Sequence, residues 1–182
     1  MMVSADGYFE GLDHDISWHN VDDEFNEFSI EQMSLVDTLI FGRRTYELME
    51  SYWPTEGARR DDPKVAEFLN TLPKIVFSRS LKKVEETEYW RNVTLMHAVN
   101  SEEIKKLKQK PGKDMAIFGS NNLCVSFIEK GLLDEIRIIV NPVVLGSGNA
   151  LFAGLNKKLN LKLIKTKTFK SGNVLLYFQP KK

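Results

Sequence analysis

One cysteine, Cys124, is all that the 182 residues hold. An intrachain disulfide is therefore excluded, and a reducing compartment is the expectation. No apolar run approaches the roughly 18 residues that a membrane-spanning helix needs. The opening Met1-Met2-Val3-Ser4-Ala5-Asp6-Gly7 has neither the basic start nor the apolar length of a secretory signal, so a cytoplasmic chain is expected. The only histidines, His14, His19 and His97, lack the spacing of a metal site, and no metal is expected. Charge of one sign is missing from each end. Residues 1–42 carry Asp6, Glu10, Asp13, Asp15, Asp22, Asp23, Glu24, Glu27, Glu31 and Asp37 but no Lys or Arg. After Glu135 there are no acids, only Arg137, Lys157, Lys158, Lys162, Lys165, Lys167, Lys170, Lys181 and Lys182. A basic tail section of this kind could touch nucleic acid, but the net charge of the whole is zero. Lysines that line a solvent-facing strand and discourage edge pairing are the preferred account, with nucleic-acid binding a weaker alternative.

What is present suits one soluble domain spanning 1–182, with 42% hydrophobic and 27% charged residues. Phe25, Phe28, Met33 and Leu35 recur at helical spacing from Asp22, a candidate N-cap. An apolar strand over 38–41 and a helix from Arg43 follow, then a polar loop to Asp62 and a helix opening at Pro63. Lys74–Ser78 and Val93–Met96 read as strands, Ser101 as the cap of a helix, and Met115–Phe118 as a buried strand before a helix from Ser120. Ile136–Val144 is β-branched, and the last segment reads as a hairpin turning at Ser171-Gly172-Asn173. The expectation is an α/β fold, a mostly parallel sheet with an antiparallel edge, whose ligands bind at the carboxyl ends of the strands.

Three of those strand ends carry similar residues. Gly42-Arg43-Arg44-Thr45 joins a strand to a helix start. Glycine allows close approach, the first helix amides lack internal acceptors, and arginine offers forked donors to phosphate. Ser78-Arg79-Ser80 adds hydroxyls and a guanidinium, and Gly119-Ser120-Asn121-Asn122 opens another helix. Together they could grip several phosphates of one ligand, such as a dinucleotide with a 2′-phosphate. Gly146-Ser147-Gly148 is not a Rossmann fingerprint, because Leu151 stands where a third small residue belongs.

Ser4–Tyr8, Phe41–Glu47, Lys74–Ser78, Ile117–Ser120 and Asp134–Gly146 together resemble the dihydrofolate reductase-like group that includes the C-terminal reductase domain of RibD, a riboflavin-biosynthesis protein. The resemblance covers nearly the whole chain. It implies a three-layer α/β/α domain with an eight-stranded sheet, NADPH as cofactor, a small-molecule substrate and a homodimer. It makes Gly42, Arg43, Arg44 and Thr45 pyrophosphate-side contacts, and Ser78 with Arg79 the grip on the 2′-phosphate. Phe118, Gly119, Ser120, Asn121, Asn122 and Leu123 become a second phosphate-binding helix start, with Leu145 and Gly146 near the cofactor. Asp6 and Trp18 would border nicotinamide and substrate. The chain departs from dihydrofolate reductases at Gly119-Ser120, where those enzymes carry Gly-Gly, and its first strand reads as clipped.

Hydride transfer to a C=N bond needs a proton for the nitrogen, so a carboxyl group is useful. Asp23 lies five residues beyond Trp18, the spacing at which dihydrofolate reductases place their acid, although any helix start favours Asp22 and Asp23. Asp6 is the other catalytic candidate, with turn-former as its alternative. Met49, Tyr52 and Trp53 could wall a flat heteroaromatic substrate or serve the core. Cys124, among Leu123, Val125 and Phe127, reads as a core residue. The expected activity is NADPH-dependent reduction of a pteridine-like or ribosylaminopyrimidine-like heterocycle. The rival expectation is a nucleotide-binding module without turnover.

Overall fold

The computed structural model describes residues 1–181; Lys182, counted above in the basic tail section, lies outside the described residues. In chain order the elements are β1 (Met2–Val3), β2 (Tyr8–Glu10), a 3-10 turn (Leu12–His14), α1 (Asp23–Ser34), β3 (Val36–Gly42), α2 (Arg43–Tyr52), α3 (Glu56–Asp61) and α4 (Pro63–Thr71). They continue with β4 (Lys74–Phe77), β5 (Val93–Met96), α5 (Ser101–Lys108), β6 (Asp114–Ile117), α6 (Asn121–Glu129), β7 (Ile136–Val140), β8 (Asn149–Ala150), β9 (Leu161–Thr168) and β10 (Val174–Pro180). Two compact units result, one of residues 28–126 and one of residues 1–27 with 127–182.

The unit of residues 28–126 is built on an all-parallel sheet in the order β5-β4-β3-β6. A parallel sheet covered on both faces needs strands that are apolar throughout. Leu39, Ile40 and Phe41 of β3 are each at most 1% exposed. Their core continues through Tyr46 of α2, Val65 and Leu69 of α4, Val76 of β4 and the buried Trp90. One charge sits inside. Lys74 is 1% exposed, and its Nζ donates to the carbonyls of Asn70 (3.0 Å), Leu72 (2.8 Å) and Arg91 (2.9 Å). It also lies 4.5 Å from the centroid of the Trp90 ring. Burial pushes this ammonium down to about 8, which leaves it charged at neutral pH, where three N–H donors match three carbonyls.

The other unit holds a mixed sheet in the order β1-β7-β10-β9, in which β1 and β7 are parallel and the other pairs antiparallel, and a two-stranded ribbon of β2 and β8. Val3, Ile138 and Leu151 form its core with Phe9, Phe152 and Phe178. Asn20 ties the long loop after β2 to the sheet. Its amide donates to Asn141 Oδ1 (2.9 Å), its carbonyl accepts from Asn173 Nδ2 (2.7 Å), and its Nδ2 reaches the Ser171 carbonyl (2.9 Å). The β9 lysines lie against their own unit: Lys165 stands over Tyr177 at 4.3 Å, and Lys167 over Phe169 at 4.7 Å with Glu24 at 3.9 Å.

The α/β class, the strand–helix alternation and the closing hairpin match expectation, and Asp22 caps α1 through Oδ1 to the Phe25 amide (2.8 Å). Four details differ. The ladders form two four-stranded sheets and a ribbon, not one eight-stranded sheet. The polar stretch before Asp62 contains α3, started by Thr55, whose Oγ1 accepts from Ala58 N. The cap of α5 is Asn100, which accepts from Glu102 and Glu103, not Ser101. The β2–β8 ribbon has too few residues to leave a period-two pattern.

Replacing Lys74 by Met keeps the stem's bulk but leaves three carbonyls without their donor. We expect a loss of about 2–4 kcal/mol, read as a fall in Tm and in the urea midpoint.

Candidate functional site

Register places the strand ends of the 28–126 unit level with one another. Gly42 pairs with Phe77, Phe77 with Met96, and Ile40 with Ile117. Beyond the ladder, Gly42 N still donates to Gly119 O at 3.1 Å, and Ser78 N to Met96 O at 3.0 Å. The sites after β3, β4 and β6 therefore share one edge, with the end of β5 beside them.

At the β3 end, α2 begins on Gly42, which has no side chain to cap the helix, so its first amides have no side-chain acceptor there. No Cβ fits comfortably at this junction. At Gly42 it would stand 2.8 Å from Ser120 Oγ, and at Gly119, whose φ is +114°, it would stand 3.0 Å from Thr45 Oγ1. Gly42, Thr45, Gly119 and Ser120 thus converge as a cradle of backbone and hydroxyls. Gly119–Ser120 is a cis peptide, and Ser120 O accepts the Cys124 amide at the start of α6. Arg43, Arg44 and Arg79 are exposed. Arg43 leans on Glu47 (3.7 Å) and donates to Ser80 Oγ (3.2 Å), whereas Arg44 and Arg79 make no ion pair among the described residues.

Ser78 is only 7% exposed, and its Oγ accepts from the amides of Ser80 (3.2 Å) and Leu81 (3.0 Å). It shapes the turn, and Ser80 presents the accessible hydroxyl. Phe118 packs against the core and Leu123 is 6% exposed, so these two offer a ligand only backbone. Asn121 is half-buried and Asn122 exposed at the first turn of α6. Met49 and Trp53 also pack on the core, joined by Trp53 Nε1 to Met49 Sδ at 3.1 Å, which leaves Tyr52, 49% exposed, as the open ring of that trio. The arrangement offers anions several donors at once, including two unpaired guanidiniums. His97 was not marked as a site residue from sequence, because only the register shows that it belongs to this edge.

In the other unit, Asp6 is a hub. Ser4 Oγ donates to Oδ1 (2.6 Å), Leu145 N to Oδ1 (3.2 Å) and Gly146 N to Oδ2 (2.8 Å). The Ser4 hydroxyl and the Gly146 and Leu145 amides hold its carboxyl below the usual carboxylate range. Trp18 is half-buried, with Nε1 donating to Asp15 O at 3.0 Å, against His19 at 4.5 Å between ring centroids. Burial pushes His19 below the usual imidazole range. Asp23 is exposed in the first turn of α1. Cys124, in the 28–126 unit, is half-buried, and burial pushes its thiol up, away from the reactive thiolate. Among the described residues, no group of three or more His, Cys, Asp or Glu could hold a metal ion, and no helix is long and apolar enough to cross a membrane.

Comparison with known proteins gives the same picture over the whole chain. The family model for the RibD C-terminal domain matches residues 1–175. The uncharacterized protein YyaP of Bacillus subtilis (strain 168) is 32% identical over 180 residues, covering 98% of this chain and 91% of its own. A protein of Shewanella sp. PV-4, provisionally named for riboflavin biosynthesis, superposes with a TM-score of 0.74 at 24% identity, covering 100% of this chain and 97% of its own. Dihydrofolate reductase from Enterococcus faecalis, solved with NADP(H) bound, has a TM-score of 0.63 at 14% identity, covering 100% of this chain and 94% of its own. At these identities the two structures bear on the fold.

Two outcomes test the geometry. Gly119→Ala combines a left-handed φ with a tight contact and should cost about 1–3 kcal/mol. Gly42→Ala meets only a rotatable hydroxyl and should cost under about 1 kcal/mol, a difference read by chemical denaturation. Asp6→Asn places an NH2 group where an N–H donor needs an acceptor, so hydrogen exchange at Leu145 and Gly146 should quicken. In the parent protein that protection should hold at pH 5 and fade only below the ordinary carboxylate value of 3.8, since a lowered carboxyl is lost as pH falls.

Proposed function

This chain belongs to the RibD C-terminal domain family, and from that premise we propose that it is an NADPH-dependent reductase of a small heterocycle, pteridine-like or ribosylaminopyrimidine-like. The observation that carries the proposal is the level edge of strand ends, where an uncapped helix start, a glycine cradle and unpaired Arg44 and Arg79 meet. Such an edge suits a ligand with several phosphates. In this reading Gly42, Arg43, Arg44 and Thr45 hold the pyrophosphate side. Arg79 and Ser80 hold the 2′-phosphate, and the backbone from Gly119 to Leu123 offers a second anion seat. The nicotinamide supplies the hydride, and the protein supplies binding and orientation.

In the other unit, Asp6 keeps the Leu145–Gly146 backbone in place, and Asp23 is the exposed carboxyl proposed to serve proton delivery. Trp18 is the ring of this unit proposed to stack on a flat substrate, and Tyr52 is the open ring of the 28–126 unit. A homodimer belongs to this reading, with the exposed Leu163 (50%) and Ile164 (44%) of β9 as apolar side chains that a second copy could cover. A second reading, a nucleotide-binding module without turnover, is favoured by the engagement of both Asp6 oxygens.

Titration with NADPH and NADH, followed by nicotinamide fluorescence and thermal shift, tests the proposal. NADPH should bind more tightly. Arg79→Ala should weaken NADPH about tenfold and leave NADH unchanged. Equal binding of the two cofactors by the parent protein would refute the 2′-phosphate assignment. Tight NADPH binding with no oxidation by pterin, flavin-precursor or dicarbonyl substrates would favour the binding module.

A further inference from the structure

The edge that carries the arginines includes one more side chain that can become a cation. His97 follows Met96, the last residue of β5, which is level with Phe77 and Gly42. Residues 43, 78 and 97 are therefore the first beyond three adjacent strands. His97 is exposed, and its Nδ1 lies 2.9 Å from the carbonyl oxygen of Ser78. Ser78 in turn holds the amides of Ser80 and Leu81, and Ser80 Oγ accepts from Arg43. The imidazole is thus fastened by one nitrogen to the same turn that carries Arg79.

That contact determines the proton. A carbonyl can only accept, so Nδ1 must carry the hydrogen. In the neutral ring Nε2 is then a bare acceptor, which repels a phosphate oxygen. Only the imidazolium presents an Nε2–H donor to an anion. An imidazole can make that change near neutral pH, whereas a guanidinium cannot.

We propose that His97 is a further cofactor-binding and specificity residue, engaging the 2′-phosphate of NADPH only as the imidazolium, so that binding takes up a proton. The inference rests on the NADPH reading above. The charged groups on the elements that start beyond this edge are Arg43, Arg44, Glu47 and Glu50 of α2, Arg79 after β4, and Glu102 and Glu103 in the first turn of α5. A phosphate beside Nε2 attracts the imidazolium and repels the neutral ring, so proton uptake is coupled to the ligand.

The test measures NADPH and NADH affinity at pH 6 and pH 8 for the parent protein, His97→Ala and His97→Lys, with calorimetry in buffers of different ionisation enthalpy. His97→Ala should lose roughly three- to tenfold in NADPH affinity at pH 6, and less than about twofold at pH 8. NADH should be unaffected at either pH. His97→Lys, which bears its charge at both pH values, should restore NADPH affinity and abolish the proton uptake that distinguishes the parent protein from His97→Ala. An unchanged Tm in both variants confirms that an exposed side chain was removed without harm to the fold. If the parent protein prefers NADPH but His97→Ala loses affinity equally at both pH values, or not at all, the His97 inference fails alone. If the parent protein binds the two cofactors equally, the NADPH reading fails and the inference falls with it.

Discussion

Parallel register is the constraint on which the 28–126 unit depends. Because β3 pairs in parallel with both β4 and β6, and β4 with β5, every chain leaves the sheet on the same side. The Gly42–Phe77 and Phe77–Met96 pairs then bring three exits to one level, and the Ile40–Ile117 pair brings the end of β6 to the same edge. Such pairing requires strands apolar on both faces, which explains why Leu39, Ile40, Phe41 and Val76 are almost fully covered. A one-residue slip of β4 would turn its buried side chains to the opposite face and separate the Ser78 turn from Arg43. The same packing that stabilises the unit therefore sets the spacing of its polar edge.

That spacing matters because no single contact there is strong. A surface ion pair contributes about 0–1 kcal/mol, too little to hold a ligand alone. Several charge-assisted donors acting on one multiply charged molecule add without a new entropy cost for each. The edge collects donors of three kinds: guanidiniums, the uncapped amides of α2 and the hydroxyls of Thr45, Ser80 and Ser120. Glycine at 42 and 119 lets the α2 and α6 starts approach within hydrogen-bonding distance, shown by Gly42 N to Gly119 O. Arg44 and Arg79 stay unpaired although the chain as a whole is neutral.

Much of this was legible in the sequence because it is local. The Phe41-Gly42-Arg43-Arg44-Thr45 junction combines an apolar run, a glycine and a helix start, and each has a signature within a few residues. What was not legible depends on distant partners. Ser78 and Ser80 look alike in sequence, but only the fold turns the first inward. Met49 and Trp53 could face ligand or core from the sequence, and the fold leaves both partly buried against the core. Asp6 looked like a site acid or a turn-former, and of its three partners only Ser4 is local, while Leu145 and Gly146 lie about 140 residues away. Lys74 opens a run that reads as a strand, and nothing in that run announces three carbonyls converging on its ammonium. Asn100 and Ser101 are both good caps side by side, and geometry chose the first.

Asp6 also bears on which reduction suits this chain. A carboxylate that accepts three hydrogen bonds and sits below its usual range is an anion throughout the physiological range, and each bond would weaken on protonation. A general acid needs the reverse, an environment that raises the carboxyl toward the working pH. Asp6 is thus suited to holding the Leu145–Gly146 backbone and unsuited to giving up a proton. Under the proposed chemistry, proton delivery passes to the exposed Asp23 or to water. Both communicate freely with solvent, so under that proposal the proton reaches the substrate from the water side and not from a carboxyl held in a hydrogen-bonded hub.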